Sequence, residues 1–173
     1  MVTMATPTRS NAARELVASV TDPEMPMLTL ADLGVLRDIQ VDDRGGVTVT
    51  ITPTYSGCPA IATMRDDIEH TLTRHGYDSV EVRTQLDPAW STDWITDEGL
   101  RKLAESGYST PGPASPAVPG PVPLTLIPRP RSLTCPRCGS GATQLVSEFG
   151  ATLCKAHYRC LSCSEPFDHV KEI

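Results

Sequence analysis

Two Cys-x-x-Cys pairs near the C-terminal end constrain this chain more than any other feature. Cys135-Pro136-Arg137-Cys138 and Cys160-Leu161-Ser162-Cys163 are separated by twenty-one residues. Each pair puts two thiols on one tight turn, and two such turns facing each other supply four soft ligands at metal–sulfur distances of about 2.3 Å. A tail of this size buries too little apolar surface to fold alone, so metal binding and folding of residues 135–173 are one event. The spacing predicts a zinc ribbon with one structural zinc per chain, ligated by Cys135, Cys138, Cys160 and Cys163. Iron in a rubredoxin-like site, or an iron–sulfur cluster, would accept the same thiolates and remains open here.

Four thiolates around a divalent ion leave a local charge of about minus two, which Arg137, Lys155 and Arg159 are placed in sequence to offset. They also leave no open position for water, so the ribbon reads as a docking surface rather than a catalytic centre. Gly139 stands where the chain turns back round the metal, and Leu145, Val146 and Phe149 supply strand residues before Gly150. Cys154 reads as a small core residue, and His157 and His169 as surface or packing residues.

Upstream of the ribbon, eight of the sixteen prolines fall between Ser109 and Arg131. That composition favours an extended linker, giving a division into a domain at residues 1–108, a linker at 109–134 and the ribbon at 135–173. Within the first domain, Ala13, Leu16, Val17 and Val20 mark a helix face with Ser10 or Asn11 as cap. Val35, Ile39 and Val41, the turn Asp42-Asp43-Arg44-Gly45-Gly46, and Val47, Val49 and Ile51 form a hairpin. Pro59 opens a helix striped by Ile61, Met64, Ile68 and Leu72 and ended by Gly76. A strand through Val80, Val82, Thr84 and Leu86 follows, then a cover containing Trp90, Trp94, Ile95, Leu100 and Leu103. A strand–helix–strand connection crosses right-handedly, so the expected fold is α+β, a small mixed sheet with helices on it.

Charge narrows the partners. Residues 1–108 hold nine Lys and Arg against seventeen Asp and Glu, and the tail from Cys135 is balanced at four against four. Neither part is basic, which argues against nucleic acid. The opening Met1-Val2-Thr3-Met4-Ala5-Thr6 has no secretory pattern and no run reaches membrane-spanning length, which places the chain in the cytoplasm.

Cys58 lies between Gly57 and Pro59 at the start of a helix, where the dipole favours an anionic sulfur that can hold a soft metal or attack an electrophile. A buried structural cysteine is the plain alternative. A cysteine hydrolase would need a base, and His70 and His75 sit on far turns of the same helix. Asp66, Asp67 and Glu69 read as its solvated face. Asp22 and Glu24, on a loop stiffened by Pro23 and Pro26, could join Cys58 if the fold brings the two loops together.

Asp22-Pro23-Glu24-Met25-Pro26, Asp32-Leu33-Gly34, Thr52-Pro53-Thr54-Tyr55-Ser56-Gly57-Cys58-Pro59-Ala60 and Pro88-Ala89-Trp90 resemble the metal–sulfur cluster assembly family. The ribbon, with Phe149-Gly150-Ala151-Thr152-Leu153-Cys154-Lys155-Ala156 and Cys160-Leu161-Ser162-Cys163-Ser164-Glu165-Pro166-Phe167, narrows this to a resemblance to the D-subunit family of the bacterial phenylacetyl-CoA ring 1,2-epoxidase. The resemblance implies a non-enzymatic accessory factor of phenylacetate degradation that assists iron–sulfur or di-iron centre maturation in the oxygenase or reductase components. It implies Cys58, with Asp22 and Glu24, as the residues of cluster or metal transfer, and a transient iron–sulfur cluster as cargo. Epoxidase components or cluster assembly proteins would be the partners, with room for a homodimer. A structural subunit of the complex and an enzyme using Cys58 as nucleophile are the competing readings. No Glu-x-x-His pair of a di-iron oxygenase is present in the sequence.

Overall fold

The computed structural model describes residues 6–114 and 133–173. Residues 115–132 of the expected linker, and the opening residues 1–5, lie outside the described residues. The chain forms two compact units, one up to Lys102 and one from Leu103 onward. Among the described residues, no helix is long and apolar enough to cross a membrane.

The first unit is α+β, as the sequence predicts. It runs α1 (Thr6–Ala18), β1 (Leu36–Val41), β2 (Val47–Ile51), α2 (Ala60–Arg74), β3 (Val80–Thr84), a 3₁₀ turn (Thr92–Trp94) and the start of α3 (Asp97–Glu105). The sheet order is β1-β2-β3, antiparallel on one side of β2 and parallel on the other. The register puts Val47, Val49 and Ile51 on one face with Ile39 and Val82, all buried. Helix α1 packs on β1, and α2 packs on β3 and α1. Buried Ala60, Met64, Ile68 and Leu72 recur at every fourth position of α2, a single stripe along its inner face. The helix ends where Gly76 adopts a φ of 83°. Gly76 N–H donates to Thr73 O and Tyr77 N–H to Leu72 O, which satisfies carbonyls of the last turn.

The loop Thr29–Gly34 anchors the covering segment that follows β3. Trp90 is buried and its Nε1 donates to Leu33 O at 2.9 Å. Thr96 N–H donates to Asp32 O, and Lys102 Nζ lies 2.7 Å from Asp32 Oδ2. Gly34 has a φ of 67°, and a Cβ there would fall 2.5 Å from Trp94 O. Asp32, Gly34 and Trp90 are therefore one interlock, to which Leu33 contributes its backbone carbonyl.

Three details differ from the sequence reading. Helix α1 begins at Thr6, so Ser10 and Asn11 lie inside it rather than at its cap. Its first turns are held by Arg9, which donates to Gly76 O, lies over the Tyr77 ring and accepts from Tyr77 Oη through its carbonyl. The hairpin is irregular between Leu36 and Asp38, and Arg37 stacks on Trp94 with its guanidinium carbon 3.7 Å from the ring centroid. Strand β3 stops at Thr84, which leaves Leu86 exposed.

The second unit holds an antiparallel sheet β4 (Thr143–Ser147), β5 (Lys155–Cys160) and β6 (Pro166–Val170), in that order. Its core is Cys135, Ala156, Tyr158, Cys160 and Phe167, with Leu133 packed against it. Tyr158 and Phe167 stack at 5.9 Å between centroids. Ser109 lies along β6: its N–H donates to Asp168 O and its carbonyl accepts from Val170 N–H. Buried His169 approaches the Ser109 carbonyl through Nδ1 at 3.2 Å, and Gly112 N–H donates to Glu172.

Burial pushes the Asp32 carboxyl up, but Lys102, with the Thr29 amide and hydroxyl, outweighs burial and holds it below its ordinary value. Its contribution to stability is therefore present at neutral pH and lost as pH falls through the folded pKa. Lys102→Met should lower the unfolding free energy at pH 7 by about 1.5–3 kcal/mol. The gap to the parent should narrow as acid protonates Asp32, measured by urea titration at stepped pH.

Candidate functional site

The two knuckles of the ribbon repeat one design. In the first, Cys135 N–H donates to Ser140 O at 2.9 Å and Gly139 takes a φ of 73°. In the second, Cys160 N–H donates to Glu165 O at 2.9 Å, and Ser164, in the place of Gly139, takes a φ of 63°. The knuckles thus superpose in sequence by a shift of twenty-five residues, Cys135 on Cys160 and Cys138 on Cys163. Facing each other, they bring Cys135 Sγ to 3.8 Å from Cys163 Sγ and Cys138 Sγ to 3.6 Å from Cys160 Sγ. All four sulfurs lie within 4.8 Å of one another. A tetrahedron of sulfurs about 2.3 Å from a central ion has edges of about 3.8 Å, so the donor set fits a four-coordinate divalent metal.

Electrostatics agree with that fit. The Cys163 amide, against some burial and with help from the Ser162 amide, pulls Cys160 down to about 6. The Ser140 amide favours the Cys138 thiolate too, but the sulfurs of Cys163 and Cys160 outweigh it and push Cys138 up to about 12. Four anionic sulfurs at these separations repel, and a cation at their centre turns the repulsion into ligation. Arg137 is held charged by Glu165 first, then by Cys163 and Cys135. Of the three cations read as charge compensators, Arg137 pairs across the knuckles with Glu165. Lys155 is buried with Nζ 5.9 Å from the Tyr108 ring centroid, and Arg159 is exposed opposite Gln144 and Pro166.

The remaining cysteine and histidines of this unit stand apart from the quartet. Cys154 is buried beside the Thr152 hydroxyl, His157 pairs with Asp168 at 2.9 Å, and His169 packs edge-on against Tyr158.

In the first unit, Cys58 is partly exposed at the mouth of α2. Its N–H donates to Tyr55 O, and the helix opens at Pro59 with no side chain capping it. His70 is exposed along the helix and His75 closes it, roughly 15 Å or more of helix from the Cys58 end at ~1.5 Å per residue. Asp22 is buried, and its Oδ1 accepts from the Glu24 and Met25 amides at 2.8 and 2.7 Å. That carboxylate shapes its own loop, while Glu24 is exposed to solvent. Among the described residues the ribbon quartet is the only group of three or more converging Cys, His, Asp or Glu ligands, so Asp22, Glu24 and Cys58 do not converge in that way.

Sequence reading missed two cross-knuckle bridges, Arg137 to Glu165 and Ser140 Oγ to Ser162 Oγ at 2.7 Å. The repeat Cys-Pro-Arg-Cys-Gly-Ser and Cys-Leu-Ser-Cys-Ser-Glu was the signal that could have found them.

Two families match the chain. Residues 11–83 match the family described as iron-sulfur cluster assembly protein, and residues 120–171 match the PaaD zinc beta ribbon domain. A protein of Escherichia coli (strain K12) assigned as the D component of 1,2-phenylacetyl-CoA epoxidase is 44% identical over 156 residues, covering 90% of this chain and 88% of that protein. An Fe-S protein maturation auxiliary factor of Porphyromonas gingivalis (strain ATCC BAA-308 / W83) is 30% identical, covering 51% of this chain and 84% of that protein. A crystal structure of a domain of unknown function (DUF59) from Bacillus anthracis superposes with a TM-score of 0.52 at 23% identity, covering 56% of this chain and 92% of that one, and shows the fold of the first unit.

Metal binding at the quartet should release protons at pH 7, Cys138 among the donors, and weaken as pH is lowered. Calorimetry of the metal-free chain in buffers of different ionisation enthalpy reads the proton count. Cys160→Ser should lose most of its bound metal by elemental analysis, and full retention there and in Cys138→Ser would refute the ligand set.

Proposed function

This chain belongs to the family of D components of 1,2-phenylacetyl-CoA epoxidase, and we propose that it serves that system as a non-catalytic accessory protein assisting maturation of iron–sulfur or di-iron centres in the oxygenase and reductase components. The observation that carries this reading is Cys58, a partly exposed thiol at the uncapped mouth of α2, inside the segment matched by the iron–sulfur cluster assembly family. A relative sharing that segment is named as a maturation auxiliary factor. A helix N-terminus favours thiolate over thiol, and thiolate is the form that holds iron or a cluster in transit. Glu24, exposed, and Asp22, whose carboxylate shapes the same loop, are the other transfer residues we assign.

The functional division we propose is an assembly domain at residues 1–108, a linker at 109–134 and a ribbon at 135–173. The ribbon metal is zinc, one per chain, because a closed four-thiolate shell suits a structural ion without redox chemistry. The working compartment is the cytoplasm, where thiols stay reduced. A second reading, a structural subunit of the epoxidase complex, is favoured by the assignment of the Escherichia coli relative as a component of that enzyme.

Cys58→Ser tests the first reading. The change removes a soft ligand with little change of volume, so the variant should stay soluble, keep its ribbon metal and shift stability by less than about 1 kcal/mol. Cells carrying it should yield epoxidase components poor in iron or cluster and grow badly on phenylacetate. Fully loaded components from those cells would exclude Cys58 from maturation.

A further inference from the structure

The twenty-five-residue repeat that relates the two knuckles also relates the two bridges between them. Under that shift Arg137 corresponds to Ser162, and Ser140 corresponds to Glu165. The bridges Arg137 to Glu165 and Ser162 to Ser140 are thus the same connection made twice, from the residue before the second cysteine of one knuckle to the second residue after it in the other. The sulfur pairs obey the same symmetry, Cys135 with Cys163 and Cys160 with Cys138.

Each bridge accompanies one cross-knuckle edge of the sulfur tetrahedron. Ser140, two residues after Cys138, and Ser162, two residues after Cys160, join through their hydroxyls beside the Cys138–Cys160 edge. By the same shift, Arg137, between Cys135 and Cys138, and Glu165, two residues beyond Cys163, accompany the Cys135–Cys163 edge. Cys138 and Cys163, one from each edge, are exposed, whereas Cys135 and Cys160 are buried. A competing thiol or chelator must therefore approach through Cys138 or Cys163 and spread one knuckle from the other.

We propose that the Arg137–Glu165 and Ser140–Ser162 bridges are paired clasps that hold the two knuckles together and set how slowly the ribbon releases its metal. The proposal rests on the quartet holding a metal. Exposed ion pairs and hydroxyl pairs add little to global stability, so their effect falls on knuckle opening. Partners of this kind outside the ligand set change metal affinity by about 10–100-fold when removed. The clasps are positioning residues, and none is itself a ligand. A ribbon clasped on both edges retains its ion among the thiols of a reducing compartment while metal traffic at Cys58 proceeds.

The test uses the full chain loaded with zinc and mixed with excess chromogenic chelator, the rate of zinc release being followed by absorbance. Arg137→Gln/Ser162→Ala should release zinc about tenfold faster or more. Each single change should give an intermediate rate, and Ser162→Thr, which keeps the hydroxyl, should stay near the parent. Cobalt-loaded variants should keep the parent's thiolate charge-transfer bands, showing an unchanged ligand set. A double variant with the parent's release rate overturns the clasps alone. A parent chain that takes up no metal overturns the ligand set and the clasps together. Should the double variant fail to assemble a cobalt site, Arg137→Glu/Glu165→Arg compared with Arg137→Glu decides: slower release in the exchanged pair supports the clasp, and equal release refutes it.

Discussion

Mutual repulsion of four sulfurs is the constraint on which the C-terminal unit depends. Cys135 and Cys160 are core residues beside Tyr158 and Phe167, so the metal-binding groups and the hydrophobic core are the same atoms in part. A sheet of three short strands has little else to hold it, and the exposed Leu145, Val146, Phe149 and Leu153 add nothing to its interior. Cys160 is held near ionisation by its own knuckle while Cys138 is driven to keep its proton, so the metal-free quartet is frustrated. A divalent ion at its centre would remove that frustration and join Cys135 and Cys138 to Cys160 and Cys163 across more than twenty residues of chain.

In the first unit the governing contact is of another kind. Asp32-Leu33-Gly34 receives the covering segment through a salt bridge, a buried indole N–H and a close backbone approach. Motifs that stand out in the sequence of this unit thus divide by role. Asp32, Gly34 and Trp90 hold the domain closed, Asp22 shapes its own loop, Glu24 is exposed and Cys58 is partly exposed. A scaffold that spends its polar residues on fixing loops presents a single thiol at a helix mouth in a defined place.

Much of this was legible in the sequence, for physical reasons that differ by element. The stripe Met64, Ile68 and Leu72 and the alternation Val47, Val49 and Ile51 encode burial directly, so the helix and the hairpin could be read. The knuckles could be read because ligand spacing is a short-range property. The start of α1 escaped because Arg9 stabilises it through Gly76 and Tyr77, more than sixty residues away. Arg37 on Trp94 and Lys102 on Asp32 escaped for the same reason. The loop-shaping contacts of Asp22 escaped because a carboxylate that accepts two backbone amides leaves no periodic trace. The clasps escaped because the repeat that relates them pairs unlike residues, arginine with serine and glutamate with serine.

The proposed function joins two parts of the chain, a four-cysteine ribbon suited to a structural ion and an assembly-family segment with a partly exposed thiol, in a factor that loads other proteins and then withdraws. The measurement that tests this most directly is epoxidation of phenylacetyl-CoA by separately matured, fully metal-loaded oxygenase and reductase components, assayed with and without this chain. The account predicts full turnover in its absence. Turnover that appears only when the chain is added back would make it a working subunit and contradict the account.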